Sequence, residues 1–122
     1  MRRPFDRCNL GQLPLERVRA HGGDGTIAFC RVAAREQLSG ALNFIDLAEL
    51  PPGASIGRHQ HADDEEEFYL VLSGSGRMER DGESFRVNAG DLIRNGPGGA
   101  HGLVNDGAEP LRLFVFEAKL PR

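Results

Sequence analysis

Residues 53–74 read GASIGRHQHADDEEEFYLVLSG, and the fold follows from how this stretch is divided. Two histidines, His59 and His61, stand two positions apart. Three consecutive acids follow, Glu65, Glu66 and Glu67, then the strand-forming run Phe68 to Leu72, closed by Ser73-Gly74. Side chains on a strand alternate faces, so His59 and His61 point the same way if residues 54–61 are extended. Pro51-Pro52-Gly53 stops whatever strand precedes them.

Working outward, the chain is a series of short apolar runs separated by turn signals. Residues 26–33, 41–50, 54–61, 67–73, 77–80, 83–87, 91–94, 101–105 and 111–118 read as strands. Asp81-Gly82 is a two-residue hairpin signal. Residues 34–40 read as a loop or one helical turn, and residues 62–66 as an acidic loop. No stretch carries a sustained helical period, so an all-β sandwich or barrel is expected, with no helix longer than about two turns. The 122 residues suit one domain, with an N-terminal arm over 1–25, with room for one edge strand, and a core barrel over 41–118.

Composition removes several function classes. Hydrophobic residues make up 39% and charged residues 27%, which excludes a disordered chain. The net charge is −3 with no basic run, so no nucleic acid is expected as partner. No apolar stretch approaches a membrane span, and no apolar region follows the MRRPFDR start, so neither membrane nor signal peptide is expected. Cys8 and Cys30 are too few for a disulfide scaffold; two thiols in a reducing cytoplasm are expected.

Three of the four histidines fall in two glycine-flanked segments: His59 and His61 in the opening stretch, and His101 after the glycine loop NGPGGA at 95–100. His59, His61, His101 and one of the acids, best Glu67, are the expected ligands of one metal ion. Three neutral imidazoles and a carboxylate suit a divalent first-row ion: Fe, Mn, Ni, Co, Cu or Zn. Four protein ligands leave two positions of an octahedral ion for a small molecule. The fourth histidine, His21, sits in the turn HGGDG at 21–25 and reads as a surface residue.

These residues resemble the cupin superfamily. Its first motif is matched by Gly53, His59-Gln-His61, Glu67 and Gly74; its second by Gly90, Gly96-Pro97-Gly98, His101 and Asn105. Two departures stand out. Five residues separate His61 from Glu67, one more than the motif allows, so either the loop carries a bulge or Glu66 is the ligand; the strand length to Gly74 favours Glu67. Gly96 replaces the usual proline, which loosens the loop before His101. The resemblance implies a jelly-roll-like double-stranded β-helix barrel and a metal site, but not one reaction, since the superfamily includes dioxygenases, isomerases, decarboxylases, lyases and non-catalytic binding domains.

If Glu67 faces the interior, parity places Tyr69, Val71 and Ser73 with it and Phe68, Leu70 and Leu72 outside. A strand apolar on both faces needs a cover, either the arm or a second subunit, and the resemblance also implies a homodimer. Tyr69 is the candidate catalytic donor, with a barrel-lining role as the alternative. Phe114 and Phe116 share one face of the last strand and Phe44 lies on an earlier one; core packing is the default for each. Arg58 and Arg94 read as solvated, and Asn105 as orienting a neighbouring strand or loop. The leading functional expectation is a metal-dependent enzyme acting on a small organic molecule, dioxygenase-like first and isomerase or lyase next. The alternative is a non-catalytic binding or sensing domain.

Overall fold

A computed structural model of the chain describes residues 5–121; the MRRP start, part of the signal-peptide reading, lies outside the described residues. Among the described residues there are ten strands: β1 (Glu16–Val18), β2 (Ile27–Ala34), β3 (Leu42–Leu50), β4 (Ser55–Gln60), β5 (Glu65–Ser73), β6 (Ser75–Arg80), β7 (Glu83–Asn88), β8 (Leu92–Asn95), β9 (Ala100–Val104) and β10 (Leu111–Lys119). The only helical elements among the described residues are single 3-10 turns at Leu10–Gln12 and Arg35–Gln37. The fold is all-β and jelly-roll-like, as the resemblance implies. A six-stranded sheet in the order β1-β2-β3-β10-β5-β8 packs on a four-stranded sheet in the order β4-β9-β6-β7.

The strands lie where alternation and turn residues place them, with ends displaced by at most two residues. The β6–β7 hairpin closes at Asp81 and Gly82, both at positive φ (50° and 82°), the conformation a tight two-residue turn requires. On β5 the parity is as expected: Glu67, Tyr69 and Val71 are buried, and Phe68, Leu70 and Leu72 are half-buried on the outer face. The acidic loop is shorter than expected, because β5 starts at Glu65, where the ladder to β10 already pairs Glu65 with Lys119.

The interior between the sheets is apolar at one end. Leu50, Leu111, Leu113, Val71, Met78 and Val87 are at most 1% exposed. Asn105 seals this end, donating through Nδ2 to the carbonyls of Leu50 (2.9 Å) and Glu109 (2.7 Å) and accepting from the Gly107 amide at 3.0 Å. It orients strand ends and loop, as the sequence suggested. At the opposite end the interior positions of the same strands become polar.

Candidate metal centre

His59 on β4 lies directly across the ladder from His101 on β9. This depends on a bulge. Ile56 pairs with Leu103 and His59 with His101, so three steps along β4 match two along β9, with Gly57-Arg58 taking up the excess. Without it, Ile56 and His59 would face opposite sides of the sheet. The extra residue between His61 and Glu67 is absorbed separately, in a turn where the Glu65 amide donates to the Ala62 carbonyl (3.2 Å) and the Glu65 carboxylate accepts from the Ala62 amide (3.0 Å).

Glu67 approaches from the other sheet. His101 Nε2 lies 3.0 Å from Glu67 Oε1, and His61 Nε2 lies 3.3 Å from the same oxygen. One ligand-type atom from each of His59, His61, Glu67 and His101 falls within 4.8 Å of every other. Glu66 is not among them: it faces outward and pairs with Arg94. Among the described residues the buried His59 Nε2 and His101 Nδ1 have no hydrogen-bond partner, and His61 Nε2 has only the 3.3 Å approach to Glu67. Buried polar atoms are rarely left so, and such orphans in a ring of imidazoles fit a first-row divalent ion.

The groups around this cluster set its charges. His59 donates Nδ1–H to the Gly57 carbonyl (2.8 Å), which leaves Nε2 with its lone pair. Burial dominates there and holds its pKa down, to about 4. His61 behaves oppositely: hydrogen bonds to Glu117 and then Glu67 raise it to about 10, against burial. For Glu67, burial pushes upward, but the His101 and His61 hydrogen bonds together outweigh it and bring it to about 2. Tyr69 is 3% exposed, its ring edge-on to His101 with centroids 5.4 Å apart. Burial, then the charge of Glu67, push its phenol well above the usual value. It therefore stays protonated, a donor and not a base.

Sequence reasoning missed several residues here. His21 is exposed, as its turn suggested, but its ring stacks on that of His59, with centroids 3.6 Å apart and planes 8° from parallel. His21 sits at φ 50° in the β1–β2 loop, which docks against the β4 bulge. A Cβ at Gly57 would lie 2.1 Å from the His21 carbonyl oxygen, so that contact requires glycine. No local signal marks this tertiary approach. Glu117 could have been found: it shares the interior parity of Leu111, Leu113 and Val115 on β10, where an acid is out of place.

A cavity of about 480 Å³ opens over the cluster. Its walls are largely apolar, with Ile27, Phe29, Phe44, Ile56 and Val115 beside His21 and Tyr69. Phe44 thus lines the cavity, whereas Phe114 and Phe116 lie on the outer face, Phe116 stacked on Phe68 at 5.1 Å. Arg19 and Arg31 are the cavity's arginines, while Arg58 and Arg94 lie outside it. Arg31 donates to both carboxylate oxygens of Asp46 along one guanidinium edge, through Nε (2.9 Å) and Nη2 (3.0 Å), and the guanidinium lies 4.6 Å from the Phe44 ring centre.

Comparisons with known proteins agree with this architecture. The cupin domain family matches residues 46–117. A Thermotoga maritima protein named oxalate-binding protein is 30% identical over 94 residues, 77% of each chain. A Thermotoga maritima crystal structure described as a predicted oxalate decarboxylase superposes with TM-score 0.87 at 26% identity, covering 92% of this chain and 97% of that one. A Salinispora arenicola cupin 2 conserved barrel domain protein gives TM-score 0.69 at 22% identity, covering 98% and 88%. The chain belongs to the cupin domain family.

Proposed function

We propose that this cupin is a metal-dependent enzyme acting on a small organic acid, with His59, His61, Glu67 and His101 holding one divalent first-row ion. The observation that carries the reading is the convergence of four ligand groups, three of which, His59, His61 and Glu67, line a mostly apolar cavity. A bound ion would supply Lewis acidity or redox chemistry at two exchangeable positions. The residues around it do the rest. Tyr69 keeps its proton and presents a donor beside Glu67. Phe29 and Phe44 accept the apolar part of the ligand, and a two-carbon dicarboxylate alone would leave most of the 480 Å³ unfilled. An oxygen-dependent cleavage is the leading reaction, ahead of isomerase or lyase chemistry.

A second reading is favoured by one observation, the name of the oxalate-binding relative: binding without turnover. One experiment separates the two. Protein purified without added metal is analysed for first-row ions, then screened for oxygen uptake and product formation with small aromatic, diketone, thiol and dicarboxylic substrates. Metal together with turnover supports the enzyme. Metal with saturable ligand binding and no product supports the binding protein. Absence of any first-row ion, even after reconstitution, removes both.

The proposal includes a homodimer in a reducing cytoplasm. Phe68, Leu70, Phe114 and Phe116 form an apolar outer face on the six-stranded sheet, and Leu92 beside it is 63% exposed. A monomer by light scattering at micromolar concentration would remove this part of the reading.

A further inference from the structure

A metal-binding imidazole presents one nitrogen to the ion, and a partner on the other nitrogen fixes the ring. For His59 the backbone does the holding, through the Gly57 carbonyl. For His61 the corresponding atom, Nδ1, lies 2.8 Å from Glu117 Oε1. The other carboxylate oxygen of Glu117 accepts from Asn43 Nδ2 at 3.0 Å. Glu65 also faces Nδ1, but at 3.7 Å, and the same oxygen is bound to the Ala62 amide. Glu117 is 4% exposed, stands directly across the β10–β5 ladder from Glu67, and lies outside both histidine-bearing motifs. Two buried acids opposite each other repel, so a packing role does not account for the second one.

We propose that Glu117, itself held by Asn43, is the positioning residue for His61: it accepts the Nδ1 proton and so turns Nε2 toward the ion. This rests on the metal reading above. The chain Asn43–Glu117–His61 fixes ring orientation and tautomer, the role that outer carboxylates play for metal-binding histidines generally. Direction matters in it. Asn43 donates, Glu117 accepts from both sides, and His61 donates.

That direction supplies the test. In Glu117→Leu the acceptor for the His61 Nδ1 proton is lost. That proton is then left without a partner, or the ring must move it to Nε2, where it blocks the ion. In Glu117→Gln the Asn43 amide can turn over, so that its oxygen accepts from the glutamine NH₂ and the glutamine oxygen again accepts from His61. Zn²⁺ affinity, measured by competition with a chelator, is expected to fall about 10–100-fold in Glu117→Leu and to recover most of that loss in Glu117→Gln. Long-range ¹H–¹⁵N spectra of the zinc-loaded parent should place the remaining His61 proton on Nδ1, a readout that needs no variant to fold. The proposal is overturned by a proton on Nε2, by Glu117→Leu binding within about twofold of the parent, or by Glu117→Gln binding no better than Glu117→Leu. A parent that takes up no zinc instead overturns the metal reading itself.

Discussion

The two ends of this barrel are built from the same strands and do opposite work. On β10 the interior positions run Leu111, Leu113, Val115, Glu117; on β5, in the opposite direction, Val71, Tyr69, Glu67; on β9, Leu103, His101. Each strand begins apolar at one end and turns polar at the other. At the apolar end, side chains are fully desolvated and interdigitate, which is where burial stabilises most. At the polar end, acids and imidazoles are held together out of water, an arrangement that lowers stability unless each has a partner. The difference teaches that the fold is carried by one end, leaving the other free to hold chemistry.

The largest expected effect breaks the apolar end. Leu113→Ala, at a fully buried position, should lower stability by about 2–5 kcal/mol in denaturant unfolding. Metal affinity of the molecules that remain folded should hardly change, since Leu113 lies four ladder pairs from Glu117 along β10. The converse variant, His101→Ala, should weaken zinc by more than the ~10–100-fold typical of losing an outer partner, with the far-ultraviolet circular dichroism of the barrel retained. If His101→Ala and His59→Ala both bind zinc like the parent, the polar end is not a metal centre.

Acid and alkali should sharpen the contrast in the metal-free protein. His59 is depressed from 6.5 to about 4, so the unfolded chain binds its proton first and stability is lost as pH falls from 6.5 toward 4. His61 is raised from 6.5 to about 10, so its contribution is complete below 6.5 and lost as pH rises toward 10. Stability should therefore peak near pH 6.5. His59→Gln should flatten the acid limb and Glu117→Gln the alkaline one. Chemical denaturation across this range checks both limbs, and a profile unchanged by either substitution would refute the assignment.

The smallest effect is expected at Glu66→Gln. Its pair with Arg94 is on the surface, so stability should shift by less than about 1 kcal/mol, and zinc titration should match the parent. Loss of zinc in Glu66→Gln alone, with Glu67→Gln still binding, would invert the register of β5 at the site.

Much of this was legible in the sequence because period-two alternation and turn chemistry are local. Parity alone put Tyr69 beside Glu67 and Phe68 outside, and the Asp81-Gly82 turn fell where it was read. The spacing of His59, His61 and His101 was informative because strands with known neighbours convert spacing into direction. What escaped were contacts made between elements distant in sequence. Asn43 meets Glu117 across 74 residues, through the β3–β10 ladder. His21 reaches His59 only because Gly57 and Gly23 let two backbones touch: a Cβ at Gly23 would lie 2.3 Å from the Ser55 carbonyl oxygen. The extra residue after His61 was expected to bulge the ladder in that loop. It forms a turn instead, and the bulge lies earlier, at Gly57-Arg58, where no residue count could place it.

The chain has one tyrosine and no tryptophan. Tyr69, buried against Glu67 and edge-on to His101, is therefore its sole strong intrinsic fluorophore. Light absorbed and emitted by this protein in the phenol band comes from a single ring next to the four ligand groups. Loading of the cavity can thus be followed optically in unlabelled protein, with no background from elsewhere in the fold.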